Sequence, residues 1–449
     1  MRCKRRLLRS SWRIRPLVVA VTGSVVGIGA CVSLSSPRGA ATNLPVAVGN
    51  YANGRQQLVR IVLATGGESR IAGTGDWAVF QQGNDSPITR YRTGDTLTLA
   101  TSGYVSQQCS ATGVCAAQSV GTPQMNLPAT GPALLARPIT EGAFMIWNGK
   151  RYRGELLLSR GDSGAVVIDR LPMDDYLRGV VPLEIGNRTA AEIAAVEAQA
   201  VAARTYAYKH LNDARAFDMY ATVQDQVYGG VDAEKPLSDS AINSTADVVV
   251  LYGGKPINTP YHSTCGGSTA SVTEVWYDQP DEPYLRPVSD KIPGTTGYYC
   301  DPSPRFSWTQ SYDAAGLKAV IEKYLANYTK APKSGVGRIT DVREDGRTPS
   351  GRVAALTVST DSGSYTLKGN DIRFVMRDPK GAILNSTLFT LNASTSGGEV
   401  SALTLTGRGY GHGIGMCQWG AIGRARAGQD FRTILETYYP GTTIGRIAG

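Results

Sequence analysis

The sequence predicts an α+β fold in which strands dominate: a strand-rich domain built around one long helix, with an N-terminal β-rich module docked against it. Three observations lead there. Between residues 57 and 155, short apolar runs such as 58–63 and 77–80 are separated by Gly, Asn and Asp turns, the pattern of strands and hairpins. Between residues 190 and 212, glycine and proline disappear and Ala, Glu and Gln take over, the pattern of a helix that Thr189 can cap. No repeat and no long low-complexity linker follows Asn53, so the parts are expected to pack together.

The chain divides on this reading into 1–41, 42–158 and 159–449. Seven basic side chains and no acid occupy the first fifteen residues, so only +2 of the net charge of +9 belongs to the rest. An uncharged run from Pro16 to Pro37 follows, read as the apolar part of an export signal or of a membrane anchor. Its ending is open: Ile28-Gly29-Ala30-Cys31 suits lipid attachment, Arg38-Gly39-Ala40-Ala41 suits cleavage, and the run is long enough to stay uncleaved. The expected location is the cell envelope or the exterior, with membrane contact through this segment alone. The nearly neutral remainder lacks the concentrated basic patch of a nucleic-acid-binding surface, and nucleic acid is excluded as a partner.

In an exported chain, the seven cysteines are read as disulfides before metal ligands. Cys3 and Cys31 belong to the leader, and Cys109 with Cys115 suggests a local bridge at a hairpin tip. Cys265, Cys300 and Cys417 remain, an odd number, so one is free, metal-bound or paired outside the domain. Oxidising conditions favour a disulfide from Cys265 to Cys300 or Cys417. The less favoured alternative is a zinc-type site from His262, Cys265, His412 and Cys417; otherwise no cofactor is read.

Along the helix at 190–212, Ala198, Ala202 and Thr205 make a small-residue stripe that admits a close neighbour. Gln199, Ala203, Tyr206 and His210 lie on the adjoining stripe, facing a groove or solvent. Residues 314–328 predict another helix, 337–374 strands with an Asp-Gly turn, 393–398 a short hairpin, and Asp430 the cap of a last helix that Pro440 ends. Residues 171–184 read as an apolar, strand-like run in which Asp174 and Asp175 are structural.

Four motifs carry the chemistry. The first runs Leu171-Pro172-Met173-Asp174-Asp175-Tyr176-Leu177-Arg178-Gly179-Val180-Val181-Pro182-Leu183-Glu184. The second is Ala198-Gln199-Ala200-Val201-Ala202-Ala203-Arg204-Thr205-Tyr206, and the third Tyr261-His262-Ser263-Thr264-Cys265-Gly266-Gly267. The fourth, residues 407–421, sets Tyr410, His412 and Gln418 in a glycine-dense loop whose backbone path must be tightly specified. In order and spacing these resemble the SpoIID/LytB family of bacterial cell-wall proteins, over residues 59 to 449 and most strongly from Asp169. Leu183 and Gly186 depart from the family's usual small residue and proline.

From its surroundings alone, Glu184 is either a helix cap or ion-pair partner, or a carboxyl desolvated enough to act as a general acid. The resemblance implies the second: the glutamate at this position is the acid of a lytic transglycosylase, which cleaves the MurNAc-GlcNAc linkage of peptidoglycan and leaves a 1,6-anhydroMurNAc end, with a preference for strands lacking stem peptides. Such a reaction needs only one carboxylate, whereas a hydrolase needs two; Asp225 is the best candidate for a second. Substrate contacts are expected from Arg204, Tyr206, Asp225, Gln226, Tyr228, His262, Tyr410, His412 and Gln418, with Arg204 and Tyr206 alternatively core residues whose polar tips are satisfied. Some family members bind zinc through one histidine and two cysteines, a spacing this chain does not reproduce. The alternative function, behind the LytB name, is a non-catalytic wall-binding protein that activates a separate cell-wall amidase.

Overall fold

A computed structural model of the protein describes residues 44–49, 51–100, 103–109, 115–118, 134–161 and 163–448. The expected leader at 1–41 lies outside the described residues. Within those described, no helix is long and apolar enough to cross a membrane.

Two sheets form the N-terminal half. A seven-stranded sheet runs in the order Met219–Tyr220, Leu58–Thr65, Gly164–Pro172, Glu155–Gly161, Leu134–Pro138, Trp77–Gln81, Pro87–Tyr91. A six-stranded sheet runs Lys150–Tyr152, Met145–Trp147, Ser69–Gly73, Thr96–Ala100, Gly103–Cys109, Cys115–Gln118. Alternation along the strands gives them a common core: Ile71, Trp77, Val79, Leu97, Met145, Leu156, Leu158 and Val167 are all buried in it, with Trp77 stacked on Tyr91 at 4.1 Å. The expected division at residue 158 falls inside the strand Glu155–Gly161, and the larger sheet is continuous across it. The strand register sets Cys109 opposite Cys115, as a hairpin tip requires; their side chains lie outside what is described.

The strand Gly164–Pro172 leads straight into helix α1, Met173–Ile185. This corrects the strand-like reading of 171–184. Asp174 and Asp175 sit in the first turn, where the helix dipole favours negative charge, and Met173, Tyr176, Leu177, Val180 and Val181 form a buried stripe at helical spacing. Pro182 is tolerated in the last turn, and Gly186 at φ +74 ends the helix by donating its N–H to Pro182 O at 3.1 Å.

Helix α2, Ile193–His210, follows a single 3₁₀ turn in which Thr189 and Glu192 form a capping box. Its small-residue stripe admits neighbours as expected. Thr259 Oγ1 donates to Ala202 O at 2.8 Å, and Thr205 Oγ1 accepts from Val250 N–H at 3.0 Å. The strand Val248–Tyr252 thus lies against α2, and the C-terminal strand Thr443–Arg446 pairs with it antiparallel.

Sequence reasoning did not anticipate that residues 307–408 carry a separate apolar core, in which Leu317, Ile321, Leu356, Val358, Ile372, Leu403 and Leu405 pack. Its strands form two three-stranded sheets, with the expected helix at Ala314–Tyr324 and the expected Gly397-Gly398 hairpin between Phe389–Ser396 and Glu399–Arg408. At its root, Tyr261–His262 pairs in parallel with Met416–Cys417, so the third and fourth motifs meet side by side. The helix Gln418–Arg426 follows at once, and then Phe431–Tyr438, capped by Asp430 as expected.

Candidate active site

Glu184 ends α1 with its neighbour Leu183 exposed, so the carboxyl sits where a buried helix meets the surface. The loop that covers it is held by a close approach. Gly179 has no side chain, and a Cβ there would lie 2.5 Å from the Tyr228 ring. Tyr228 therefore packs flat against α1, its hydroxyl donates to Asp169 Oδ2 at 2.7 Å, and Gly229 N–H donates to Gly179 O at 3.0 Å. This pins Val227 so that its N–H donates to Glu184 Oε1 at 2.8 Å.

The fourth motif supplies the other side. Gly413 and Gly415 adopt φ of +90 and +70, and a Cβ on Gly415 would lie 2.0 Å from Pro260 O. That turn delivers Gln418, which hydrogen-bonds the Glu184 carboxyl and donates from Nε2 to Gln199 Oε1 of α2 at 3.2 Å. Next to it, Trp419 lies under the Arg188 guanidinium at 5.3 Å, which ties the stretch after Glu184 to the same helix. Burial pushes the Glu184 carboxyl up to about 7, against the two hydrogen bonds, from Val227 and Gln418, that pull it down. A carboxyl so placed is substantially protonated at neutral pH.

Tyr176, Tyr206 and Tyr261 line the same region; burial first, and the Glu184 charge among the further causes, holds each phenol above its ordinary range. Tyr206 donates to Asp225 Oδ1 at 2.9 Å, and Asp225 Oδ2 accepts from Tyr220 N–H at 2.8 Å. Asp225 thus orders the loop carrying Val223, which is 88% exposed and offers an apolar surface close in sequence to Val227.

Other expected substrate contacts turn out to be interior. Arg204 is fully buried and donates to Thr245 O at 2.8 Å, Val248 O at 3.3 Å and Ile242 O at 3.2 Å, besides pairing with Asp174 at 3.5 Å; both Nη atoms are engaged in the core, while Nε has no partner. Gln226 is fully buried, accepting from Tyr176 OH at 3.1 Å and donating to Tyr261 OH at 2.9 Å. Tyr228 is equally enclosed. Gln226 and Tyr228 brace the loop that carries Val227, and Arg204 ties residues 242–248 to the start of α1.

His262 and His412 do converge, with ring centroids 5.4 Å apart. They serve as a latch. His412 Nε2 donates to Tyr261 O at 2.9 Å while Nδ1 accepts from Ile414 N–H at 3.0 Å, and His262 Nδ1 donates to Ile414 O at 3.1 Å. Burial, then the positive charge of Arg373 and Arg352, lowers His412 to about 3, so its imidazole is neutral. Tyr410 exchanges backbone hydrogen bonds with Thr264 and carries Arg305 at 4.1 Å over its ring.

The cysteines differ from the expected disulfide. Cys265, Cys300 and Cys417 are free and buried. Cys265 Sγ and Cys300 Sγ lie 3.5 Å apart, within contact but not bonded. Neither histidine joins them, because both imidazoles are turned to backbone carbonyls. Among the described residues, the ligand atoms that gather within 4.8 Å are those of Cys265, Asp290, Cys300 and Cys417, while His262 Nε2 is buried without a partner.

Two clefts flank these elements. One of about 310 Å³ is lined by Gly186, Arg188, Lys235 and Leu237, immediately beyond Glu184. Another of about 970 Å³, lined by Tyr298, Trp308, Phe389 and Arg408 among others, opens at the root of the 307–408 unit. It is the larger, yet it contains neither Glu184 nor any group bonded to it.

The site thus sets a carboxyl that burial raises to about 7 near the end of a buried helix, beside a glycine-rich loop. Residues 161–252 match the SpoIID family model, described as Stage II sporulation protein, and residues 292–415 match a domain of unknown function, DUF8618. An uncharacterized protein of Brachyspira hyodysenteriae is 32% identical over 68% of this chain and 75% of its own length. The amidase enhancer of Bacillus subtilis is 32% identical over 60% of this chain, though the match spans only 40% of that relative, and its stage II sporulation protein D is 29% identical over 62% of this chain and 75% of its own length. The chain belongs to the SpoIID/LytB family.

Proposed function

We propose that the protein is an exported peptidoglycan lytic transglycosylase in which Glu184 is the single acid and base. The observation that carries this is the Glu184 carboxyl, raised to about 7 by burial while its neighbour Leu183 stays exposed. A protonated carboxyl at a solvent-facing helix end can donate to the bridging oxygen as the C1–O bond of MurNAc breaks. The carboxylate that results accepts the proton of the sugar's own 6-hydroxyl while that oxygen bonds to C1. The proton count closes on one residue, and the product is a 1,6-anhydroMurNAc end with no water consumed. Asp225 is engaged on both oxygens, which supports a mechanism without a second carboxylate.

Digestion of peptidoglycan, intact and stripped of stem peptides, with products weighed by mass spectrometry, tests the reading. Anhydro ends are expected; reducing ends instead mean hydrolysis. The same assay run against pH is expected to lose rate as pH rises through about 7, because the donating acid form of Glu184 is lost there. The name of the Bacillus subtilis amidase enhancer favours a second reading, a wall-binding partner of an amidase. It predicts glycan binding without cleavage, and stimulation of an added amidase.

A further inference from the structure

We propose that Cys265, Cys300, Cys417 and Asp290 form a closed site for a zinc-type divalent cation that fastens the root of the 307–408 unit to the helix beginning at Gln418. The three sulfurs and a carboxylate oxygen of Asp290 all lie within 4.8 Å of one another, and all four side chains are fully buried. They come from three separate stretches: the loop after Tyr261–His262, the segment 290–300, and the strand Met416–Cys417.

Backbone N–H groups point at two of the three sulfurs. Cys265 N–H donates to Cys417 Sγ at 3.1 Å, Gly420 N–H to Cys417 Sγ at 3.3 Å, and Gly267 N–H to Cys265 Sγ at 3.4 Å. Asp290 is oriented from behind. Tyr438 OH donates to its Oδ1 at 2.7 Å and Arg424 Nη2 to the same oxygen at 3.2 Å, which leaves Oδ2 facing Cys265 Sγ at 3.7 Å. Ligands of a metal site are held by outer hydrogen bonds in this manner.

The sulfur spacing separates the two accounts of this cluster. A disulfide needs about 2.0 Å between sulfurs. Two thiolates on one tetrahedral zinc, each about 2.3 Å from it, stand about 3.8 Å apart. The 3.5 Å between Cys265 and Cys300 is too long for the first and close to the second. A disulfide would also leave an odd thiol and a buried carboxylate pressed against sulfur, whereas a divalent cation uses all four groups. Three soft thiolates and one carboxylate select zinc over magnesium or calcium, and four protein ligands leave no open position, so the ion's role is structural. Its consequence reaches the catalytic residue, because Cys417 adjoins Gln418.

The full chain, produced with zinc in the medium and purified without chelator, is assayed by elemental mass spectrometry and by thiol alkylation of the denatured protein. One zinc per chain is expected, with Cys265, Cys300 and Cys417 all alkylated without reductant. Cobalt(II) exchanged into the protein is expected to show a thiolate charge-transfer band that Cys300→Ser loses, and Cys300→Ser is expected to bring zinc down to background. Metal-free protein in which two of these thiols react only after reduction overturns the proposal, even if every variant folds poorly. None of these readouts involves glycan, so they stand apart from the transglycosylase reading.

Discussion

Glu184→Gln is expected to lower the rate of glycan cleavage by about 10²- to 10⁴-fold, the usual worth of a positioned general acid. The amide keeps the shape and continues to accept from Val227 N–H through its oxygen, so the loop over the site is retained. Glycan binding is therefore expected to survive while anhydro products vanish. The variant also has a stability signature. In the unfolded chain this carboxyl ionises near 4.5, but in the folded protein only near 7. Below about 4.5 both states are protonated and the group is neutral toward folding. As pH rises toward 7 the unfolded state gains charge that the folded state resists, so the native protein is penalised, and the penalty is complete above about 7. Melting temperatures of wild type and Glu184→Gln are thus expected to agree near pH 4, with the variant higher near pH 8. Loss of cleavage without that divergence would mean the carboxyl is not desolvated.

Arg204→Met is expected to cost about 3–5 kcal/mol, the range for removing one member of a buried charged pair. Three backbone carbonyls from residues 242, 245 and 248 and the Asp174 carboxylate converge on this guanidinium. Methionine fills much of the volume but donates nothing, which leaves those acceptors buried without partners. Because Asp174 begins α1 and Glu184 ends it, activity is expected to fall together with chemical-denaturation stability. If activity falls at unchanged stability, Arg204 touches substrate after all.

The N-terminal strands, α2 and the capped last helix were legible because local pattern and tertiary role agree there. Helix α1 was not, because Val180-Val181-Pro182 carries β-branched residues and a proline that favour a strand. The spacing of Tyr176, Leu177, Val180 and Val181 held the correct signal. Glu184 was found from its motif, but its partners Val227, Gln418 and Gln199 come from three distant stretches, and only Gln418 was named as a site residue. The burial of Arg204, Gln226 and Tyr228 was not legible, because a polar tip enclosed in a core and one awaiting a ligand look alike in one dimension. The separate 307–408 core escaped notice because its boundaries are defined by contacts and carry no linker.

The bond between Gln418 and Gln199 joins positions 219 residues apart. Contacts that close so long a loop are expensive in chain entropy and tend to form late. The strands and helices up to α2 can associate before them, but the stretch that completes the surroundings of Glu184 arrives from beyond the whole 307–408 unit. On the proposed function, that order makes the acid a timed one: its surroundings are complete only once the distal half has docked, and a chain truncated before Gln418 is expected to be inert.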